Sequence, residues 1–119
     1  MLENQKEKPY DLEERTFLFA KRSIVYFKFL SRSLPNAEIS RQGIRSSGSV
    51  GANFIEANEA LSRKDFVLRI KICRKEAKET IYWLRLSESS ETQEKEQKCL
   101  IIEATELMKI FGSIIEKSK

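Results

Sequence analysis

A chain of 119 residues, 34% charged and 40% hydrophobic, is sized for one domain with a modest core. Only four glycines and two prolines argue against a many-stranded β fold, and the lack of any histidine removes imidazole metal ligands and a histidine general base. No run approaches the roughly 20 apolar residues of a membrane span, and a net charge of +4 with an isoelectric point near 9.1 suits anionic partners.

Residues 1 to 10 are charged and aperiodic, and read as a lead-in to a single bundle over residues 11 to 119. They hold no apolar signal core, so a cytoplasmic protein is expected. Asp11, with Glu14 three residues on, opens a first helix expected to reach about Ser33. Its expected core stripe is Phe17, Ala20, Ile24, Phe27 and Leu34, widened by Phe19, Tyr26 and Leu30. Leu18, Val25 and Phe29 recur on a further flank, giving more apolar surface than one bundle uses.

Pro35 suits the first turn of a second helix, which is expected to end near Leu61. Ile39, Gly43, Ser46, Val50, Phe54, Ala57 and Leu61 form its core stripe, and Ile44, Gly48, Gly51 and Ile55 form a second. Glycine inside a helix is unfavourable by about 1 kcal/mol against alanine, so Gly48 and Gly51 suggest close backbone approach. Ser62 and Asp65 start a third helix, ending near Leu86, with Phe66, Ile70, Cys73, Ala77, Ile81 and Leu84 as its core. Ser90 and Gln93 form a Ser-x-x-Gln box that opens a fourth helix, striped by Leu100, Ala104, Leu107, Phe111 and Ile114. Joints this short make neighbours antiparallel, so the expected fold is an all-α, up-down-up-down four-helix bundle.

Lys64, Lys71, Lys75, Lys78 and Arg85 recur on one side of the third helix, with Tyr82 among them and Arg74 at the edge. Residues 41 to 85 hold ten Lys or Arg against five Asp or Glu, a local +5, whereas residues 88 to 119 come to −2. Such a stripe can follow a phosphate backbone while a base stacks on the aromatic ring; the alternative is a solvated lysine-rich face. Leu68, Ile72, Trp83 and Leu86 share another arc outside the core stripe. Together with Leu18, Val25 and Phe29, and with Ile44, Gly48, Gly51 and Ile55, Leu68, Ile72 and Trp83 are the expected interface between copies of the chain.

Glu56 follows the small-residue run as a candidate buried carboxylate. Arg45, Ser49 and Glu56 lie on one side of the second helix, with Asn53 beside the core. They read as a register-fixing network, with Glu56 paired to a basic group and Asn53 bonded to backbone or hydroxyl. No nucleophile or second titratable group accompanies Glu56, and no glycine loop follows a strand, so neither catalytic residues nor a phosphate-binding loop are expected. No metal site and no cofactor are expected either. Cys73 and Cys99 read as small buried hydrophobes.

The run Gln42-x-x-Arg45, Ser47-x-Ser49-Val50, Asn53-x-x-Glu56, Ser62-x-Lys64-x-Phe66 and Ile72-Cys73-Arg74 with Glu79 resembles the four-helix-bundle family of 23S rRNA intervening-sequence proteins. That family also contains the accessory proteins of diversity-generating retroelements. The Leu34-Pro35-x-x-Glu38 helix start fits as well, so the likeness covers nearly the whole chain. Ala57 and Lys75-Glu76 depart from it, standing where a glycine and a Gly-Ser pair are common. The resemblance implies a ring-like homopentamer, no enzyme activity and a nucleic-acid-linked role. Two functions follow as expectations: an RNA-binding scaffold, or an adaptor that docks a partner enzyme such as a reverse transcriptase.

Overall fold

The computed structural model describes residues 11–119; the lead-in expected over residues 1–10 lies outside them. Four helices run in chain order: α1 (Leu12–Lys28), α2 (Leu34–Asn58), α3 (Arg63–Leu86) and α4 (Glu94–Lys117), the last preceded by a 3-10 turn at Glu91–Gln93. Among the described residues there is no strand, and the fold is an all-α antiparallel bundle.

The starts are where the capping residues put them. The Asp11 carboxylate accepts the Glu14 N–H, the Ser33 hydroxyl accepts the Asn36 N–H at 3.1 Å, and the Ser62 hydroxyl accepts the Asp65 N–H at 3.0 Å. At the fourth start, the Gln93 side chain turns back to accept the Ser90 N–H. Two ends differ from expectation. α1 stops at Lys28, well before Ser33, because Ser33 must be extended to cap α2. α2 stops at Asn58, since the extended Ser62 cap of α3 follows at once, and Leu61 is left 99% exposed.

The three sequential helix pairs pack along long seams, while α1 and α4 meet along a short one. The result is flattened, with extents of 44 × 35 × 19 Å. Two forked ion pairs bridge the short seam. Arg15 Nε and Nη2 donate to Glu103 at 2.7 and 3.0 Å, and Arg22 donates to Glu96 at 3.0 and 2.9 Å. Both guanidinium pKa values are raised, first through these hydrogen bonds.

The core stripes of α2, α3 and α4 are largely as the spacing predicts: Val50, Phe54, Ile70, Cys73, Ala77, Leu84, Leu100, Leu107 and Phe111 are buried. On α4, Ile115 is buried and Ile114 packs from the side. The stripe expected on α1 needs correction. Phe27 is buried as expected, as are the flanking Phe19, Tyr26 and Leu30, but Phe17 and Ile24 are exposed, as is Leu34, now the first residue of α2; Leu12, Thr16 and Ser23 complete the buried arc. Two small polar residues disguised this arc. The Thr16 hydroxyl donates to the Leu12 carbonyl at 2.6 Å, which lets threonine be buried with its hydrogen bond made.

Polar ties set helix register. The Ser46 and Thr80 hydroxyls hydrogen-bond at 2.8 Å across the buried α2–α3 seam, and the Tyr26 and Ser87 hydroxyls do so at 2.7 Å. Asn36 is fully interior. Its amide donates to the carbonyls of Ser31 and Glu88, and its oxygen accepts the Glu88 N–H at 3.0 Å, joining the α1–α2 and α3–α4 connections.

Candidate nucleic-acid interface

α3 turns Ile70, Cys73, Ala77 and Leu84 into the core, and its opposite arc faces water. Lys64, Lys71, Arg74, Lys75, Lys78, Tyr82 and Arg85 are all exposed on that arc. From Lys64 to Arg85 it extends about 32 Å at 1.5 Å per residue. Lys75 makes the only ion pair among these cations in the described residues, at 3.8 Å from Glu76. Arg74 lies over α4, where a Cβ at Gly112 would stand 3.9 Å from its Nη1.

Lys64 and Lys71 border a groove of about 820 Å³ between the start of α3 and the end of α4, floored by Val67, Leu68 and Ile115. Farther along, Lys75, Lys78, Glu79, Tyr82 and Trp83 line a cleft of about 400 Å³. Tyr82 is 56% exposed and stands edge-to-face with Trp83, ring centroids 5.0 Å apart and planes at 75°. Trp83 packs on the core, and its Nε1 is shielded from solvent without an acceptor among the described residues. An unpaired shielded donor is unfavourable by about 1–3 kcal/mol.

The network expected around Glu56 is centred elsewhere. Glu56 is exposed, with no side-chain partner among the described residues. The buried carboxylate is Glu76 on α3, 6% exposed, one turn from Thr80 and facing α2. Arg45 reaches across to it at 3.5 Å and to Glu79 at 3.1 Å. Asn53 donates to the Ser49 carbonyl at 2.9 Å, and Arg69 donates to the Asn53 carbonyl oxygen at 2.9 Å. Sequence reasoning missed Glu76 and Arg69. Glu76 falls four residues before Thr80 on the α2-facing flank, a signal concealed by its lysine neighbour.

The candidate interface residues divide into two groups. Leu18, Val25, Phe29, Ile55 and Leu68 are exposed, and Leu18, Val25 and Phe29 line an apolar groove of about 460 Å³ beside α4. Ile44, Ile72 and Trp83 are half-buried, and Ile44 and Trp83 pack on this chain's own core. A Cβ on Gly48 would meet nothing within 4 Å, whereas one on Gly51 would stand 2.9 Å from the Thr16 Oγ1. The close approach at Gly51 is therefore within the chain, between α1 and α2.

Cys73 is fully buried, and burial pushes its thiol up to about 12. Cys99 is half-buried, and both thiols are free. Among the described residues no cluster of His, Cys, Asp or Glu could hold a metal ion, and no helix is long and apolar enough to cross a membrane.

Fold and surface together define a small antiparallel helical bundle with a cationic outer face on its third helix. The chain belongs to the 23S rRNA-intervening sequence protein family, whose model matches residues 10–113. It is similar to a crystal structure from Bacteroides thetaiotaomicron VPI-5482, described as a protein of unknown function from the S23 ribosomal protein family. The two share 37% identity over 87% of this chain and 96% of that one, with a TM-score of 0.75. No curated protein matches the chain.

Proposed function

We propose that this protein is a non-enzymatic, homo-oligomeric scaffold that binds nucleic acid, RNA first, through the basic face of α3. The carrying observation is that Lys64, Lys71, Arg74, Lys78 and Arg85 are exposed on one side of one helix without an ion pair among the described residues. Cations held close together and left unpaired repel one another, and a phosphate backbone relieves that repulsion while releasing its counterions. The family's link to an rRNA intervening sequence supports the choice of RNA. Copies associate through the exposed apolar flanks of α1 and α2, Leu18, Val25, Phe29 and Ile55, as a pentamer by family resemblance. In such a ring, the +4 of each chain sums to about +20.

Two measurements test this. Binding to unrelated single-stranded RNAs should weaken steeply with salt, with a log–log slope near −0.7 per neutralised phosphate. Changing Lys71, Lys75 and Lys78 together to glutamine should flatten that slope while helicity and oligomer mass persist. Light scattering of the purified protein should give a multiple of 13.9 kDa; a monomer at micromolar concentration would remove the assembly part. Absence of binding to RNA or single-stranded DNA at low salt would remove the nucleic-acid part. The apolar groove along Leu18, Val25 and Phe29 would then favour a protein adaptor that docks a partner enzyme.

A further inference from the structure

We infer that the cleft lined by Lys75, Lys78, Glu79, Tyr82 and Trp83 is a subsite for one unpaired nucleobase of a bound RNA strand, with Glu79 selecting guanine and disfavouring uracil. The inference rests on the reading of the α3 face as an RNA surface and adds what that surface recognises.

Tyr82 sits within the cationic arc, one helical turn after Lys78 and one before Arg85. A strand whose phosphates meet those cations passes directly over the phenol ring. The ring is already held. Its edge-to-face partner Trp83 is itself packed on the core, so little side-chain freedom is lost when a base stacks. The opening of about 400 Å³ falls within the range of small-ligand clefts. Duplex RNA keeps its bases inside the helix and could not use this ring, so the cleft favours single-stranded segments, loops and bulges.

Glu79 is the feature that a plain phosphate track does not need. It is the single acidic residue lining the cleft, and a carboxylate there repels backbone phosphate. It is also held in place: Arg45, from α2, donates to Oε1 at 3.1 Å, leaving Oε2 without a hydrogen-bond partner among the described residues. A fixed carboxylate oxygen accepts hydrogen bonds and offers none. Guanine presents N1–H and N2–H side by side on its Watson–Crick edge. Adenine and cytosine present an amine beside an acceptor nitrogen, and uracil presents one N–H between two carbonyl oxygens. Acceptors facing Glu79 are repelled, which ranks guanine first and uracil last. The Trp83 indole N–H is shut away from the cleft, so discrimination falls to Glu79.

The experiment uses the full-length protein, a 12-nucleotide oligouridine, the same oligomer with one central guanosine, and a fully paired duplex of the same length. At fixed low salt, the guanosine oligomer is expected to bind about tenfold tighter than oligouridine. Glu79→Gln should abolish that difference without weakening oligouridine binding, because it removes a negative charge from a basic face. Tyr82→Ala should lower affinity for both single strands by roughly 5- to 150-fold and leave the duplex unchanged, while Tyr82→Phe keeps the stack. Circular dichroism and mass of each variant separate lost recognition from lost fold. Equal affinity for both single strands in the wild type, or a preference that survives Glu79→Gln, overturns the subsite and leaves the RNA-binding reading intact. No binding to any of the three overturns both.

Discussion

The ring of Phe27 on α1 lies flat across Gly43 on α2, so close that a Cβ at Gly43 would meet three ring atoms, Cε1 at 2.7 Å among them. Phe27 is itself almost fully buried and edge-to-face with Tyr26, centroids 5.3 Å apart, so it has little room to yield. Gly43→Ala, normally favourable inside a helix, should therefore destabilise the protein by about 1–3 kcal/mol through overpacking. Urea unfolding checks this; an unchanged midpoint would mean that the α1–α2 seam can open at no cost.

Gly48 and Gly51 should behave oppositely although they are three residues apart. Gly48 has open space around it and Gly51 abuts Thr16. Gly48→Ala should stabilise the isolated chain by up to about 1 kcal/mol, whereas Gly51→Leu should destabilise it by about 1–3 kcal/mol. Thermal melts at several protein concentrations separate the two. A concentration-dependent loss of stability in Gly48→Ala would show that another copy covers this face.

Removing the Asn36 side chain should leave the Glu88 N–H and the Ser31 carbonyl without their present partner. Asn36→Ala should lower stability by about 1–3 kcal/mol. Hydrogen exchange should quicken at both ends of the tie, near Ser31 and near Glu88. Faster exchange at one connection alone would mean that the two are not coupled through Asn36.

Alkali should reveal Cys73. Below pH 9 its thiol is protonated in both folded and unfolded chains. Between the ordinary thiol value of 9.0 and the folded value of about 12, only the unfolded chain ionises. The unfolded state then binds fewer protons, so stability falls as pH rises through that window. Cys73→Ala should lose less stability than the wild type between pH 9 and 11, measured as the difference in denaturation midpoints. At pH 8 a thiol reagent should modify Cys99 well before Cys73; equal rates would contradict the burial of Cys73.

Helix number, helix starts and the antiparallel fold were legible in the residues because they are local properties. Asp11, Ser33 and Ser62 cap through bonds that reach only three residues ahead. The cationic arc of α3 was legible for the same reason: side chains recurring at spacings of three, four and seven share one side of a helix wherever it packs. The face of α1 was legible only in part: Phe19, Tyr26, Phe27 and Leu30 are buried as expected, but Phe17 and Ile24 are not. Its sequence carries apolar residues on several flanks, and the buried arc passes through Thr16 and Ser23. What selects that arc is the surface of α2, where Gly43 and Gly51 admit the Phe27 ring and the Thr16 side chain. Likewise, nothing near Glu56 in sequence could show that Arg45 spans to Glu76 and Glu79 on the next helix. Periodicity tells which residues share a side of one helix. Only packing decides which side is buried, because the choice depends on the shape of a neighbour far away along the chain.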